Sequence, residues 1–276
     1  VNISLWYAQK FDRKVTREVN ETLHAAEDAG RYNKHLLTDK IFKAVINAGN
    51  EARADHYAQT LPWSDKGWRL LPSANYFPYC ETMRKARVKF EAALEAFIAV
   101  YDDLRDASIT RMGTMANRDD FPTAEHVRRK FGINIEFSPL PAAGDFRVDL
   151  PQGEVERIEQ SIEKRVKSSM ENAMQDAWFR LYEAVQRINE RLGSPDAIFR
   201  DSLVEGTREL CDVLARLNVT KDRKLEEMRK TVLDVIKHEP QTFRDDKNLR
   251  AQTAKKAEEI LAAMSGMFDP QKGDRQ

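Results

Sequence analysis

The chain has 276 residues, 45 basic and 45 acidic side chains and a formal net charge of zero, with 33% of its residues charged. That length supplies one or two domains with a real core, and the interspersed, balanced charge excludes a uniformly basic nucleic-acid binder while leaving room for a local basic patch. Two cysteines far apart, Cys80 and Cys211, exclude a disulfide framework or a zinc ligand set. No apolar run approaches the roughly 18 residues of a membrane span, and the opening VNISLWYAQKF has no signal-peptide core, so a soluble protein of the reducing cytoplasm is expected.

Ile3 to Trp6 alternates as a short strand does. Thr16 is the expected cap of a helix ending near Gly30, and Thr38 with Asp39 opens a second helix that stops before Pro62. The stretch TLPWSDKGWRLLPSANYFPYC, Thr60 to Cys80, then reads as a loop, because Pro62, Gly67, Pro72, Asn75 and Pro78 oppose a regular helix. It nonetheless carries Trp63, Trp68, Tyr76, Phe77 and Tyr79. From about Tyr79 to Met112 an uninterrupted helix is predicted. Its stripe of Phe90, Leu94, Phe97, Tyr101 and Leu104 repeats in heptad fashion and asks for a helical partner.

Thr123 caps a short helix, AEHVRRKF. INIEF (133–137) and DFRVDL (145–150) both alternate, with prolines and a glycine between them, and predict one small β-hairpin. A second long helix runs from Gly153 to Gly193, on the order of 60 Å at 1.5 Å per residue. Its apolar stripe includes Val155, Ile158, Ile162, Val166 and Met170, and its partner is either the Tyr79–Met112 helix or a second subunit. Ser194-Pro195 restarts a helix with proline at its first position. Thr220 caps another helix that ends before Pro240, and a last helix covers about Asp246 to Met264. The expected fold is mainly α: an elongated bundle with long coiled-coil-like helices and one small β-hairpin. Its segments are a helical body 1–193, containing the aromatic loop 60–80 and the hairpin 133–150, a C-terminal helical segment 194–265, and a flexible tail 266–276.

No motif carries a reaction. There is no phosphate loop and no dinucleotide fingerprint. The five histidines lie apart, and Asp102, Asp103 and Asp106 read as a solvated helix face. No serine elbow and no cysteine near a histidine offers a nucleophile. No enzyme activity, metal or cofactor is expected. What remains is an aromatic and basic concentration. Lys66, Arg69, Arg84, Lys85, Arg87 and Lys89 surround Trp63, Trp68, Tyr76 and Phe77, and Arg128, Arg129 and Lys130 form a second cluster. Cations that follow phosphates and rings that stack on unpaired bases, at ~1–3 kcal/mol each, are what a single-strand groove needs. The other reading is structural: aromatic side chains in a proline-rich loop cover helix ends, and RKARVK is a solvated helix face.

The succession W-S-D-K-G-W-R-L-L-P, Y-F-P-Y, a long heptad helix and I-E-F-S-P-L-P-A-A-G-D-F-R-V-D-L resembles a phage-encoded family of mostly helical proteins of unknown function. The order of features, from about Ile3 to Leu192, also resembles the Drc-like single-stranded DNA-binding RNA polymerase cofactors of a podovirus lineage. That resemblance implies sequence-independent binding of single-stranded DNA, support of phage transcription with an RNA polymerase as partner, self-association, and residence in the cytoplasm of a bacterial host. The rival expectation is a helical structural or adaptor protein that binds another protein.

Overall fold

The computed structural model describes residues 1–63, 67–140, 152–194 and 197–266. In chain order these form β1 (Asn2–Ser4), β2 (Gln9–Phe11), α1 (Arg13–Thr22), β3 (Asn33–His35), α2 (Lys40–Ala58), β4 (Leu61–Pro62) and β5 (Arg69–Leu70). Then follow α3 (Tyr76–Ala99), α4 (Tyr101–Met112), α5 (Ala124–Arg128), β6 (Gly132–Asn134), α6 (Gln152–Gly193), α7 (Ser202–Leu217), α8 (Arg223–Val235), α9 (Pro240–Asp245) and α10 (Lys247–Met264). The protein is mainly α, and its strands are short and paired antiparallel in twos: β1 with β6, β2 with β3, β4 with β5. None of the described helices is long and apolar enough to cross a membrane.

Contacts divide the chain into two units. The first is Val1–His56 with Cys80–Phe137; the second is Tyr57–Tyr79 with Ser138–Gln276. The 194–265 segment, read from sequence as separate, therefore falls in one unit with α6. The tail beyond Gly266 lies outside the described residues.

The first unit closes around aromatic rings. Phe42 and Val45 of α2 pack with Phe90, Leu94 and Phe97 of α3, and with Tyr101, Phe121, Val127 and Phe131. Phe97 lies 5.4 Å from Phe42, 5.7 Å from Tyr101 and 6.1 Å from Phe131, between ring centroids. These tilted and edge-on separations are those that aromatic rings favour. The expected heptad stripe is thus divided between α3 (Phe90, Leu94, Phe97) and α4 (Tyr101, Leu104) and faces a mixed core. The helix is also interrupted. Val100 leaves the helical region (φ −115°, ψ 8°) and its N–H turns to Phe97 O. One residue later the Tyr101 hydroxyl donates to Pro122 O at 2.7 Å, and burial pushes its pKa up to about 12. At Gly49 a Cβ would lie 2.5 Å from Leu5 Cδ2, so the glycine lets the Leu5 side chain rest against α2, and a larger residue there would turn that side chain aside.

Several helix boundaries move for local reasons. α1 is capped by Asp12, whose side chain accepts from Val15 N, while the Thr16 hydroxyl donates to Asp12 O. α1 stops at Thr22 rather than Gly30, and His24 follows with φ 52°. α3 starts at Tyr76, because Pro78 sits in the first turn, where no N–H is needed. Ile133 pairs with Ile3, so the first arm of the expected hairpin is a partner of the N-terminal strand and ends at Asn134. Its second arm, 145–150, lies outside the described residues.

The second unit is organised by α6. Ala173, Ala177, Trp178, Leu181, Val185, Ile188 and Leu192 form one core with Ala254, Ala257, Ile260 and Met264 of α10 and with Val204, Cys211 and Leu214 of α7. Alanines on both α6 and α10 suit close helix approach. The Trp178 indole donates to Asp222 Oδ2 at 3.0 Å. Asp222, not Thr220, caps α8 through Lys224 N and Leu225 N. α7 begins at Ser202 instead of Pro195, and residues 197–200 are non-helical. There Phe199 turns into the core, and the Arg244 and Arg250 guanidiniums lie 4.9 and 5.5 Å from its ring. α8 ends at Val235, well before Pro240, and that proline instead opens α9 from its first turn.

Candidate nucleic-acid interface

The stretch read as an aromatic loop is a miniature hairpin followed by a helix start. Leu61 pairs with Leu70 and Pro62 with Arg69. The Trp63 N–H donates to Trp68 O at 3.1 Å. Leu61 and Leu70 enter the core of the second unit, and Trp63 packs partly buried against it. Trp68 faces outward and is 49% exposed. Gly67 holds φ +79° between them, a conformation that glycine adopts without strain.

Polar contacts fix this hairpin to the unit. Arg69 donates through Nε to Thr60 Oγ1 at 2.7 Å and through Nη2 to Thr60 O at 2.9 Å, and its guanidinium lies 4.5 Å from the Tyr57 ring. Arg180 of α6 donates to Ala58 O and Thr60 O, both at 2.9 Å, and pairs with Asp176 at 2.8 Å. The Asn75 side chain donates to Gln59 O at 2.9 Å and accepts from Arg216 Nε of α7 at 2.8 Å. Arg69 therefore builds the platform. Arg180 and Arg216, which hold it, lie more than a hundred residues away, and no local pattern marks them.

Tyr76 and Phe77 open α3 with rings 5.3 Å apart and edge-on. Tyr76 is exposed, and Phe77 is 79% exposed. Trp63, Trp68, Arg69, Tyr76 and Phe77 all belong to the second unit, whereas Arg84, Lys85, Arg87, Lys89, Arg128, Arg129 and Lys130 belong to the first. Lys66 lies outside the described residues.

The basic residues of the first unit mostly face acids. Arg84 and Lys85 share Glu81, at 2.8 and 3.5 Å. The Arg84 hydrogen bond leads in holding the Glu81 carboxyl down to about 2. Lys89 pairs with Glu51, Arg128 with Glu95 and Arg129 with Glu125. The Arg87 guanidinium donates to Ile133 O at 3.1 Å, and Lys130 Nζ lies 5.5 Å from the Trp6 ring centroid. Exposed pairs of this kind contribute about 0–1 kcal/mol, so a polyanion can exchange for the carboxylates at small cost. Asp102 and Asp106 are held by Arg105, at 2.6 and 3.0 Å. Among the described residues no group of three acidic, histidine or cysteine side chains is placed to hold a metal ion.

Comparison with protein-family models, with curated proteins and with solved structures finds no match to this chain.

Proposed function

We propose that this is a non-enzymatic helical protein that binds single-stranded DNA without base specificity. Its setting is phage transcription in the cytoplasm of a bacterial host, as a cofactor of an RNA polymerase. The observation that supports the reading most is the exposure of Trp68, Tyr76 and Phe77 within ten residues of chain, on a hairpin and helix start anchored by Arg69, Arg180 and Arg216. Flat rings held outward on a rigid frame present stacking faces without an ordering cost at the moment of binding.

The test is anisotropy of a labelled oligo-dT strand against its duplex, across a salt series. Each of Trp68→Ala and Phe77→Ala is expected to weaken strand binding about 5- to 100-fold, the equivalent of one lost stack. Helical content is expected to stay unchanged. Equal affinity in the folded double variant would remove the stacking platform from the proposal.

Self-association belongs to the same reading and rests on α6. Its stripe is buried from Ala173 onward, but no residue between Gln152 and Asn172 is buried among the described residues. On that stretch Glu154, Glu156, Glu159 and Glu163 precede Lys164, Arg165 and Lys167. Two copies laid antiparallel across Ile162 set Ile158 against Val166 and Glu159 against Arg165, with Arg157 facing Lys167 at the margin, so the contact is an apolar seam with one charge pair on each side of the two-fold. Sedimentation of Ile162→Asp should then give a smaller species than the parent chain. If both sediment alike, this stretch is not the contact. The rival reading, an adaptor, assigns the same stripe to the helix of another protein. Salt separates the two: binding through phosphates falls steeply with salt, and an apolar helix contact falls little.

A further inference from the structure

We propose that the second unit carries a pocket for a nucleoside phosphate, bound either free or as one unit of a strand. A cavity of about 690 Å³ opens between α6, α7 and the linker 197–200. Three arginines line it: Arg187 and Arg191, one turn apart on α6, and Arg200 of the linker. Among the described residues none of the three has a carboxylate or hydrogen-bond partner. Arg84, Arg105, Arg128, Arg129, Arg208 and Arg229 each stand beside an acid, and these three, clustered on one cavity, do not. Like charges one turn apart on a helix are unfavourable, and so are three around one cavity. An anion seated among them relieves that repulsion, and phosphoryl oxygens match the guanidinium fork.

The rest of the wall suits a nucleoside better than a bare ion. Ser202 adds a hydroxyl from the first turn of α7, where the helix dipole is positive. Ile198, almost wholly exposed, and Leu203 supply an apolar side for a base. The volume falls in the roughly 300–1,000 Å³ range of small-molecule sites. The linker is also held in place before any ligand arrives. Arg250 Nη2 donates to Ala197 O at 2.6 Å, and Arg244 Nη2 donates to Phe199 O at 3.2 Å. Asp201, the acid beside the site, is already paired with Arg244.

Titration calorimetry with dTMP, thymidine and inorganic phosphate on the full chain tests the pocket, and anisotropy with labelled oligo-dT tests its use by a strand. One dTMP per chain is expected, bound more tightly than phosphate, with no binding of thymidine. Arg187→Ala/Arg191→Ala, at two exposed positions, should weaken dTMP at least about tenfold, the loss of one charged hydrogen bond or more, with unchanged circular dichroism. Arg187→Lys should fall between the two. No heat from dTMP, phosphate binding as tightly as dTMP, or an unaffected double variant would overturn the pocket. Only the strand arm rests on the single-strand reading. If dTMP binds through these arginines and oligo-dT does not bind, the pocket stands and that reading falls. If oligo-dT binds the parent and the double variant equally and dTMP does not bind, the reading stands and the pocket falls.

Discussion

Replacing Lys34 with methionine should destabilise the first unit by about 3–5 kcal/mol, the usual cost of removing one partner from a buried ion cluster. The Lys34 side chain is only 7% exposed. Its ammonium meets Asp120 at 2.7 Å and Asp12 at 3.2 Å, and donates to Met115 O at 3.1 Å. Methionine keeps much of the volume but leaves two largely buried carboxylates facing each other. The measurement is the urea midpoint, with amide exchange in β2 and β3 reporting the unit directly. Asp12→Asn/Asp120→Asn added to Lys34→Met should recover most of the loss, since asparagine still caps α1. An unshifted midpoint in Lys34→Met would mean that the cluster contributes nothing to folding.

The same cluster fixes the pH behaviour. The Asp12 carboxyl is held below its ordinary range, first by the Val15 N–H and then, against burial, by Lys34. Its contribution is therefore complete above the unfolded value near ~3.9 and is lost as pH falls through the lower folded value. Burial pulls the Lys34 ammonium down, but the hydrogen bonds to Asp120 and Asp12 outweigh it and leave its pKa raised. That contribution is complete below about 10.4 and is lost as pH rises through the higher folded value. The stability gap between the parent chain and Lys34→Met should be widest near neutral pH and should narrow in acid below ~pH 4.

The second large effect is expected at Arg250. This side chain from α10 reaches the end of α6 and donates to Arg191 O at 2.7 Å, Leu192 O at 3.2 Å, Ser194 O at 2.5 Å and Ala197 O at 2.6 Å. It is 8% exposed. The last carbonyls of a helix have no partner within it, so one guanidinium serves as the cap. Arg250→Ala strands four backbone acceptors, of which Leu192 O is buried and the others partly so, and should cost about 1–3 kcal/mol. Arg250→Lys should recover only a part, because a point ammonium lacks the fork that reaches acceptors from Arg191 to Ala197. Thermal unfolding of the second unit and amide exchange across 197–203 measure both. Arg250→Lys equal in stability to the parent chain would mean that charge, not fork geometry, does the capping.

The sequence makes periodic helices easy to read, and caps less so. Gly153–Gly193 and Asp246–Met264 are found within a residue, and Thr123 does cap α5. The errors fall where a distant contact decides. Thr16 has the chemistry of a cap but lies four residues inside a helix that Asp12 starts. Pro195 suits a helix start, yet the chain first leads Phe199 inward between two arginines. The heptad stripe of α3 and α4 is real, but a heptad does not say whether a coiled-coil partner or a mixed core covers it. Of the aromatic stretch, the exposure of Trp68 and Phe77 was open from sequence. So was the inward turn of Trp63, because both roles use the same residue types. Arg69, counted with the phosphate-binding cations, turns to Thr60 because Tyr57 and Thr60 offer it a stacking face and two acceptors.

Because residues 57–79 belong to the second unit, the protein is not made in the order in which it folds. The chain enters that unit at Tyr57, leaves it at Cys80, and returns only at Ser138. On a ribosome the first unit is complete once Phe137 has emerged. The hairpin with Trp63 and Trp68 must wait for Arg180 and for the core around Leu181. At about 5–20 residues per second, the roughly 100 residues of synthesis between Tyr79 and Arg180 take on the order of 5–20 s. Throughout that interval Trp63 and the Leu61–Leu70 pair are without their core, while the first unit is already folded. Nascent chains released before α6 should present this segment to chaperones and proteases, and those released after α10 should not.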